Sequence, residues 1–238
     1  MTLFCGKPRA GIGIALLSAL LGCAPSAPRA PQTQGQAQPA VDFQDAHYRA
    51  LAAHGQEVLR IDPQASLIAI TVRRSGTLAR LGHDHLIASR NVEGWVAPGE
   101  GRADVHFRLD QLSVDEAGLR DAAGLDHQPS SEAIEGTRSN MLNRVLEAAR
   151  FPHVLMHVTR AAPGAPLSLS ITLHGVTRTL PAPATIARDA ARHLVVSGTL
   201  SFNQSDFGLV PFAVLGGAIA VQDRLEMRFR IVAVPPED

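Results

Sequence analysis

The densest chemistry in this 238-residue sequence is the run Leu81-Gly82-His83-Asp84-His85-Leu86-Ile87. On a strand, residues two apart share a face, so His83 and His85 stand together beside Leu81 and Ile87. Two imidazoles held that way can grip Zn²⁺ or Cu²⁺, which makes His83 and His85 the candidate metal ligands. A catalytic zinc site needs three protein ligands and a closed one four. His157, His174 and Asp206 are the candidates for a third, and spacing alone does not bring them near the pair. Imidazole also donates to phosphate or quinone oxygens, so His83, His85 and His174 are candidate headgroup contacts for a polar lipid. The alternative is a pair of polar strand residues satisfied by hydrogen bonds within the protein.

Little else in the sequence suggests catalysis. Asp206-Phe207-Gly208 spells the metal-binding triplet of protein kinases, but no Gly-rich nucleotide loop or catalytic-loop motif accompanies it. It reads instead as structure, with Asp206 bonded to backbone in a turn and Phe207 in the core. No Gly-x-Ser-x-Gly elbow is present. The cysteines are Cys5 and Cys23. Both fall at the start of the chain, so the remainder offers no thiol for a nucleophile, a disulfide or a zinc-thiolate site. No catalytic residue is expected.

The first residues set the compartment. Lys7 and Arg9 precede an apolar run from Ile12 to Leu21, which ends in Gly22, Cys23 and Ala24. That order is an export leader, too short for a permanent membrane helix of about 20 apolar residues. Leu20-Leu21-Gly22-Cys23 is similar to a bacterial lipobox. Residues 1–22 are therefore expected to be a lipoprotein signal peptide, and Cys23 the site of lipid attachment, as for palmitate. Stable anchoring takes more than one acyl chain, which lipobox chemistry supplies. By the enteric sorting convention, Ala24 after Cys23 favours the outer membrane, with the chain facing the periplasm. Residues 23–56 are read as the lipidated cysteine and a tether. Ala24 to Ala40 is nearly all Ala, Pro and Gln and has no core-forming pattern. From Val41 to Gln56 a short helix packed outside the domain fits.

Charge excludes one class of partner. The chain has 22 basic and 22 acidic residues, and removing the leader with Lys7 and Arg9 leaves 20 against 22, a balance of −2. No basic face for nucleic acid is visible.

Residues 57–238 must position whatever site exists, and their period is two. Leu167, Leu169, Ile171 and Leu173 alternate with polar residues, as do Leu194, Val196, Leu200 and Phe202, then Leu225, Met227, Phe229 and Ile231, and Val105, Phe107 and Leu109. Each is a half-buried strand. Asp62-Pro63, Pro98-Gly99, Pro163-Gly164 and Asp189-Ala190 mark turns between them. Roughly eight such strands with short links predict an all-β domain, an antiparallel up-and-down barrel or a sandwich. One helix is inserted, marked by Met141, Leu142, Val145, Leu146 and Ala149 and stopped before Pro152, after a long acidic link from Asp110 to Glu135. It either caps an open end or covers sheet edges.

Three segments carry a resemblance. Leu173-His174-Gly175-Val176-Thr177-Arg178, Asn203-Gln204-Ser205-Asp206-Phe207-Gly208 and Phe151-Pro152 resemble, in order and spacing, elements of the bacterial YceI-like proteins. The likeness runs from about Val58 to Val234. It implies an exported, lipocalin-like antiparallel β-barrel that binds a polyisoprenoid chain. Where those proteins usually have Arg before Ser-Asp-Phe-Gly, this chain has Gln204, so a cation that can meet a headgroup is missing at that position.

A barrel of about eight strands either fills itself with side chains or holds one small ligand. The expected function is a noncatalytic binder or carrier of a polyisoprenoid, quinone or similar amphiphile. No cofactor is expected beyond a bound isoprenoid-type lipid, with Zn or Cu at His83 and His85 as the alternative of a metal-binding or redox accessory protein. The candidate apolar lining is Trp95, Phe107, Met141, Leu142, Leu146, Phe202, Phe212 and Leu215, with Phe207 and Phe229 as further aromatic candidates. Flexible Met141 and Leu142 on the helix are foremost, which puts the expected channel beneath the helix. A dimer is left open.

Overall fold

The alternating strands need somewhere to put one apolar face each, and they do so by wrapping round a common interior. The computed structural model describes residues 43–236. The leader, Cys23 and the Ala24–Ala40 tether lie outside the described residues. Among those described, no helix is long and apolar enough to cross a membrane.

In chain order the elements are α1 (Asp45–Ala53), β1 (Leu59–Ile61), β2 (Leu67–Ser75), β3 (His85–Ser89), β4 (Glu93–Ala97), β5 (Arg102–Arg108) and β6 (Ser113–Val114). Then come α2 (Ala117–Ala122), α3 (Ser131–Asn140), β7 (His153–Thr159), β8 (Leu167–Leu173), β9 (Val176–Ala182) and β10 (Ala184–Arg188). The chain closes with β11 (Leu194–Asn203), β12 (Ala213–Val214) and β13 (Ile219–Val234). Every strand pairing is antiparallel. The class is the all-β, antiparallel one that the alternation predicts, in the lipocalin-like form that the resemblance implies.

The wall is organised about β13, the longest strand. One edge of β13 binds both β2 and β1, while its other edge binds β11. From β1 the ladder continues through β4, β5, β7, β8 and β9, and from β2 it branches to β3 and β6. The hydrogen-bonded ladder does not close into a ring. β9 pairs with β8 and β10 pairs with β11, and only Pro183, which has no N–H to give, separates β9 from β10. The chain itself carries the wall across that seam.

α1 is the short outer helix that fits residues 41–56, and it packs outside β4 through Tyr48, which is fully buried. Within the domain the helical content exceeds the single inserted helix expected. α2 lies within the segment read as an acidic link. Its one buried residue is Arg120, so no apolar period announces it. α3 starts at Ser131, where the Ser130 side chain accepts the Ala133 N–H at 3.2 Å. The residues read as its apolar face instead form a π-turn, Met141–Val145, with the Leu146 N–H bonded to the Met141 carbonyl at 2.9 Å. This widened turn aims both Leu142 and Leu146 into the barrel floor.

Candidate functional site

The interior differs between its two ends. At the α3 end, Phe107, Leu142, Leu146, Leu173, Phe202, Phe207 and Leu209 pack into one buried cluster. The Phe202 and Phe207 rings meet edge to face, 5.5 Å between centroids. At the other end the inward residues are smaller, and a cavity of about 130 Å³ remains. Its wall comes from Ile61 and Ile68, Val96, Ala103 and Val105, Met156 and Val158, Leu167 and Leu169, Ala182 and Ile186, Leu194 and Val196, and Met227, Phe229 and Ile231. Pro98, Gly101, Arg102 and Arg160 complete it. The aromatic volume has gone to one end, and space is left at the other.

The cavity is therefore not beneath the helix, and of the sequence-predicted lining residues Phe229 alone lines it. Phe107, Leu142, Leu146 and Phe202 are buried in the packed floor, with Met141 against it. Phe212 lies under the Arg144 guanidinium, 5.0 Å from its ring centre, and Leu215 is exposed. Trp95 faces outward from β4, stacked on Tyr48 and donating its indole N–H to Asp45 at 2.7 Å. The strand faces were legible in the sequence, since Val105, Leu167, Leu169, Leu194, Val196, Met227, Phe229 and Ile231 all belong to predicted apolar faces. What no single strand reveals is which level of the barrel its large side chains share with those of its neighbours.

His83 and His85 lie toward the opposite end. His85 begins β3 across from Val72, and its Nδ1 lies 2.7 Å from a fully buried Asp115 carboxylate. Asp115 also accepts the Leu86 N–H at 2.9 Å and Arg120 Nη1 at 2.6 Å. Burial alone would raise the Asp115 carboxyl, but the bonds from His85, Leu86 and Arg120 outweigh it and hold it below the usual carboxylate range. Arg120, equally buried, extends to the carbonyls of Asp84, Asp126 and His127. Asp84 binds the Arg73 guanidinium at 3.0 Å and the Arg74 N–H at 2.8 Å. Two of the three polar residues in His83-Asp84-His85 are thus committed to holding β2, β3 and α2 together, and His83 is exposed.

The other metal and headgroup candidates are dispersed. His174 and Gly175, with φ of 53° and 75°, form the two-residue turn between β8 and β9. The His174 ring packs on Phe151 at 4.4 Å. Asp206 accepts the Asn203 N–H at 3.2 Å within a turn, and Phe207 is fully buried. Gln204 is buried and donates to the Gln222 carbonyl at 2.9 Å. His157 bonds Asp104 at 2.7 Å on the outer face. Among the described residues, no three His, Cys, Asp or Glu side chains come together as a metal site.

A second polar network ties α1 to the cavity rim. Asp104 accepts Tyr48 Oη at 2.7 Å and Arg102 Nε at 3.0 Å, besides meeting His157. Burial would raise its carboxyl, and the His157, Tyr48 and Arg102 bonds together hold it low. Arg102 also donates to Gln44 at 3.2 Å. Beside this network Phe43 stacks on His106 at 3.9 Å, and burial pushes the His106 and His153 imidazoles below their ordinary value. Stability is accordingly expected to fall in two stages on acidification. A histidine held low in the folded state favours unfolding once the unfolded chain begins to bind its proton, below about pH 6.5. Asp104 and Asp115, held low when folded, contribute fully above about pH 4 and lose that contribution as the pH drops through their folded values. Tm measured against pH should show both stages. A His106→Gln, His153→Gln double variant should flatten the upper one and keep the lower, and an unchanged upper stage in that variant would refute the assignment.

Fold and cavity together define a class, an antiparallel lipocalin-type β domain with an apolar hollow at one end. The chain belongs to the YceI-like family, whose YceI-like domain model matches residues 59–233. Two solved structures share its fold. A polyisoprenoid binding domain from Saccharophagus degradans, implicated in plant cell wall breakdown, superposes with a TM-score of 0.54 at 14% identity, over 76% of this chain and 99% of that one. BcnA of Burkholderia cenocepacia gives a TM-score of 0.51 at 14% identity, over 73% and 99%. Comparison with curated protein sequences gives no match.

Proposed function

We propose that this chain is a noncatalytic binder of an amphiphile's apolar tail, and that the cavity at the Arg102–Arg160 end receives it. The observation that carries this reading is the asymmetry of the interior, with a solid aromatic floor at one end and an almost wholly apolar hollow at the other. The Saccharophagus relative, described as polyisoprenoid binding, supports a polyisoprenoid, quinone or similar chain as the ligand class. Membrane attachment through an acylated Cys23, with the domain in the periplasm at the outer membrane, completes the proposal.

Magnitudes bound what the hollow does. A cavity near 150 Å³ accommodates a benzene-sized molecule, so about 130 Å³ takes roughly one five-carbon unit as it stands. Burying that unit contributes about 3–4 kcal/mol, at about 0.8 kcal/mol per methylene, before association costs. A longer tail requires Met156, Met227 and the lining leucines to change rotamer. Methionine in particular does so at little cost.

Displacement of a fluorescent apolar probe by farnesol measures the site directly. Ala182, fully buried in the wall, is the position to block. Ala182→Trp is expected to weaken farnesol binding at least tenfold, and the smaller block Val158→Phe to weaken it several-fold, each with a cooperative melt retained. Undiminished binding in a folded Ala182→Trp or Val158→Phe protein would remove the cavity as the site. Gentle purification from the native host followed by organic extraction should also yield a bound lipid.

A further inference from the structure

The inner face of β7 runs Met156, Val158 and then, one inward step beyond the strand end, Arg160. The ladder continues to that point, with the Arg160 N–H bonded to the Gly101 carbonyl at 2.9 Å. Arg160 is half-buried and lines the cavity. Opposite it stands Gly101, which offers no side chain to fill or neutralise the space. Gly101 has a φ of 60°, and a Cβ there would lie 2.9 Å from the Arg160 carbonyl oxygen. The neighbouring rim cation is differently placed. Arg102 points outward, and Asp104 and Gln44 hold its guanidinium. Arg160 has no ion pair or side-chain hydrogen bond among the described residues, and no Asp or Glu lines the cavity. A half-buried cation at the mouth of an apolar cavity favours an acceptor that meets it there.

We propose that Arg160 is the headgroup site of this cavity, and that the ligand is a single-chain amphiphile with an anionic head, phosphate or carboxylate. The inference rests on the cavity holding the apolar tail. It moves the headgroup from the far-end histidines to the opposite rim, and it provides the cation that Gln204 does not. A guanidinium fits both heads, since its planar fork meets two oxygens at once. A neutral quinone or alcohol of equal length offers that fork a single uncharged acceptor and no counter-charge.

The test compares farnesyl phosphate, farnesoic acid and farnesol, three ligands with one tail, by displacement of the same probe from wild type, Arg160→Gln and Arg160→Lys. Wild type is expected to bind one or both anions at least tenfold more tightly than farnesol, with the larger ratio identifying phosphate or carboxylate as the head. Arg160→Gln should erase that preference while leaving farnesol affinity within about twofold, and Arg160→Lys should restore part of it. Equal affinities for the three ligands in wild type would overturn the proposal and leave the cavity reading standing, because farnesol still binds. An anion preference that survives Arg160→Gln would overturn it as well. Failure of all three ligands to bind wild type would overturn both readings together.

Discussion

Asp115→Ala is expected to cost about 3–5 kcal/mol of folding stability, the range for removing one partner of a buried ion pair. The carboxylate is wholly buried, and so is Arg120, whose Nη1 donates to it at 2.6 Å. Without Asp115 the guanidinium keeps three backbone carbonyls but no counter-charge, while His85 and the Leu86 N–H lose their acceptor. Backbone strain adds to the loss, because Asp115 holds a φ of 56°, which aspartate tolerates better than alanine. Asp115→Asn separates the two contributions, since asparagine accepts that conformation yet removes the charge. Urea denaturation should rank wild type above Asp115→Asn and Asp115→Ala lowest. A double variant, Asp115→Leu with Arg120→Met, should lose less than the two single changes summed, because no charge is stranded. Affinity for farnesol should stay unchanged in whichever variants fold, as this network lies away from the cavity. A loss below about 1 kcal/mol for Asp115→Ala would show that water reaches Arg120.

Gly94→Ala is expected to be comparably damaging, by about 3 kcal/mol or more. Gly94 sits in β4 opposite Val105 with a φ of 139°. An added Cβ would lie 2.0 Å from the Asp104 carbonyl oxygen and 3.0 Å from two further backbone atoms. Backbone cannot swing aside as a side-chain tip can, so β4 and β5 must part. That ladder carries Trp95 and Asp104, which anchor α1, on its outer face and Val96, Ala103 and Val105, which line the cavity, on its inner face. Probe binding should therefore fall together with Tm. Gly99→Ala is the control. A Cβ at Gly99 meets nothing within 4 Å, and its stability should stay within about 0.5 kcal/mol of wild type. A Gly94→Ala protein as stable as that control would mean the β4–β5 ladder yields more readily than a paired backbone should.

How much of the site was visible in the sequence varies residue by residue. Alternation alone identifies Leu167, Leu169 and Ile171 as one face of a strand, and all three turn inward. The same holds for Met227, Phe229 and Ile231 on β13. Arg160 carries a usable signal too. It keeps the spacing of Met156 and Val158, so an inward cation at a strand end was there to be read. Its significance appears only once Gly101 is known to face it and no acid to join it. His83-Asp84-His85 misleads for the converse reason. Paired histidines look like free ligands until Asp115, 30 residues further on, takes one of them. Several aromatic residues mislead as well, because Phe107, Phe202 and Phe207 fill the level at which the π-turn closes the barrel, while Phe229 lines the cavity.

By itself the sequence determined the fold class and most of the inner faces of the strands, because a period of two is local and forces one side of each strand away from water. It also carried the family, through short turns such as His174-Gly175 whose backbone geometry is written in adjacent residues. Only the tertiary structure decided which end is hollow, which histidine is committed and which arginine is left without an acceptor. Those outcomes depend on the register between strands distant in the chain, and register sets which side chains share a level, compete for one volume or cancel one another's charge.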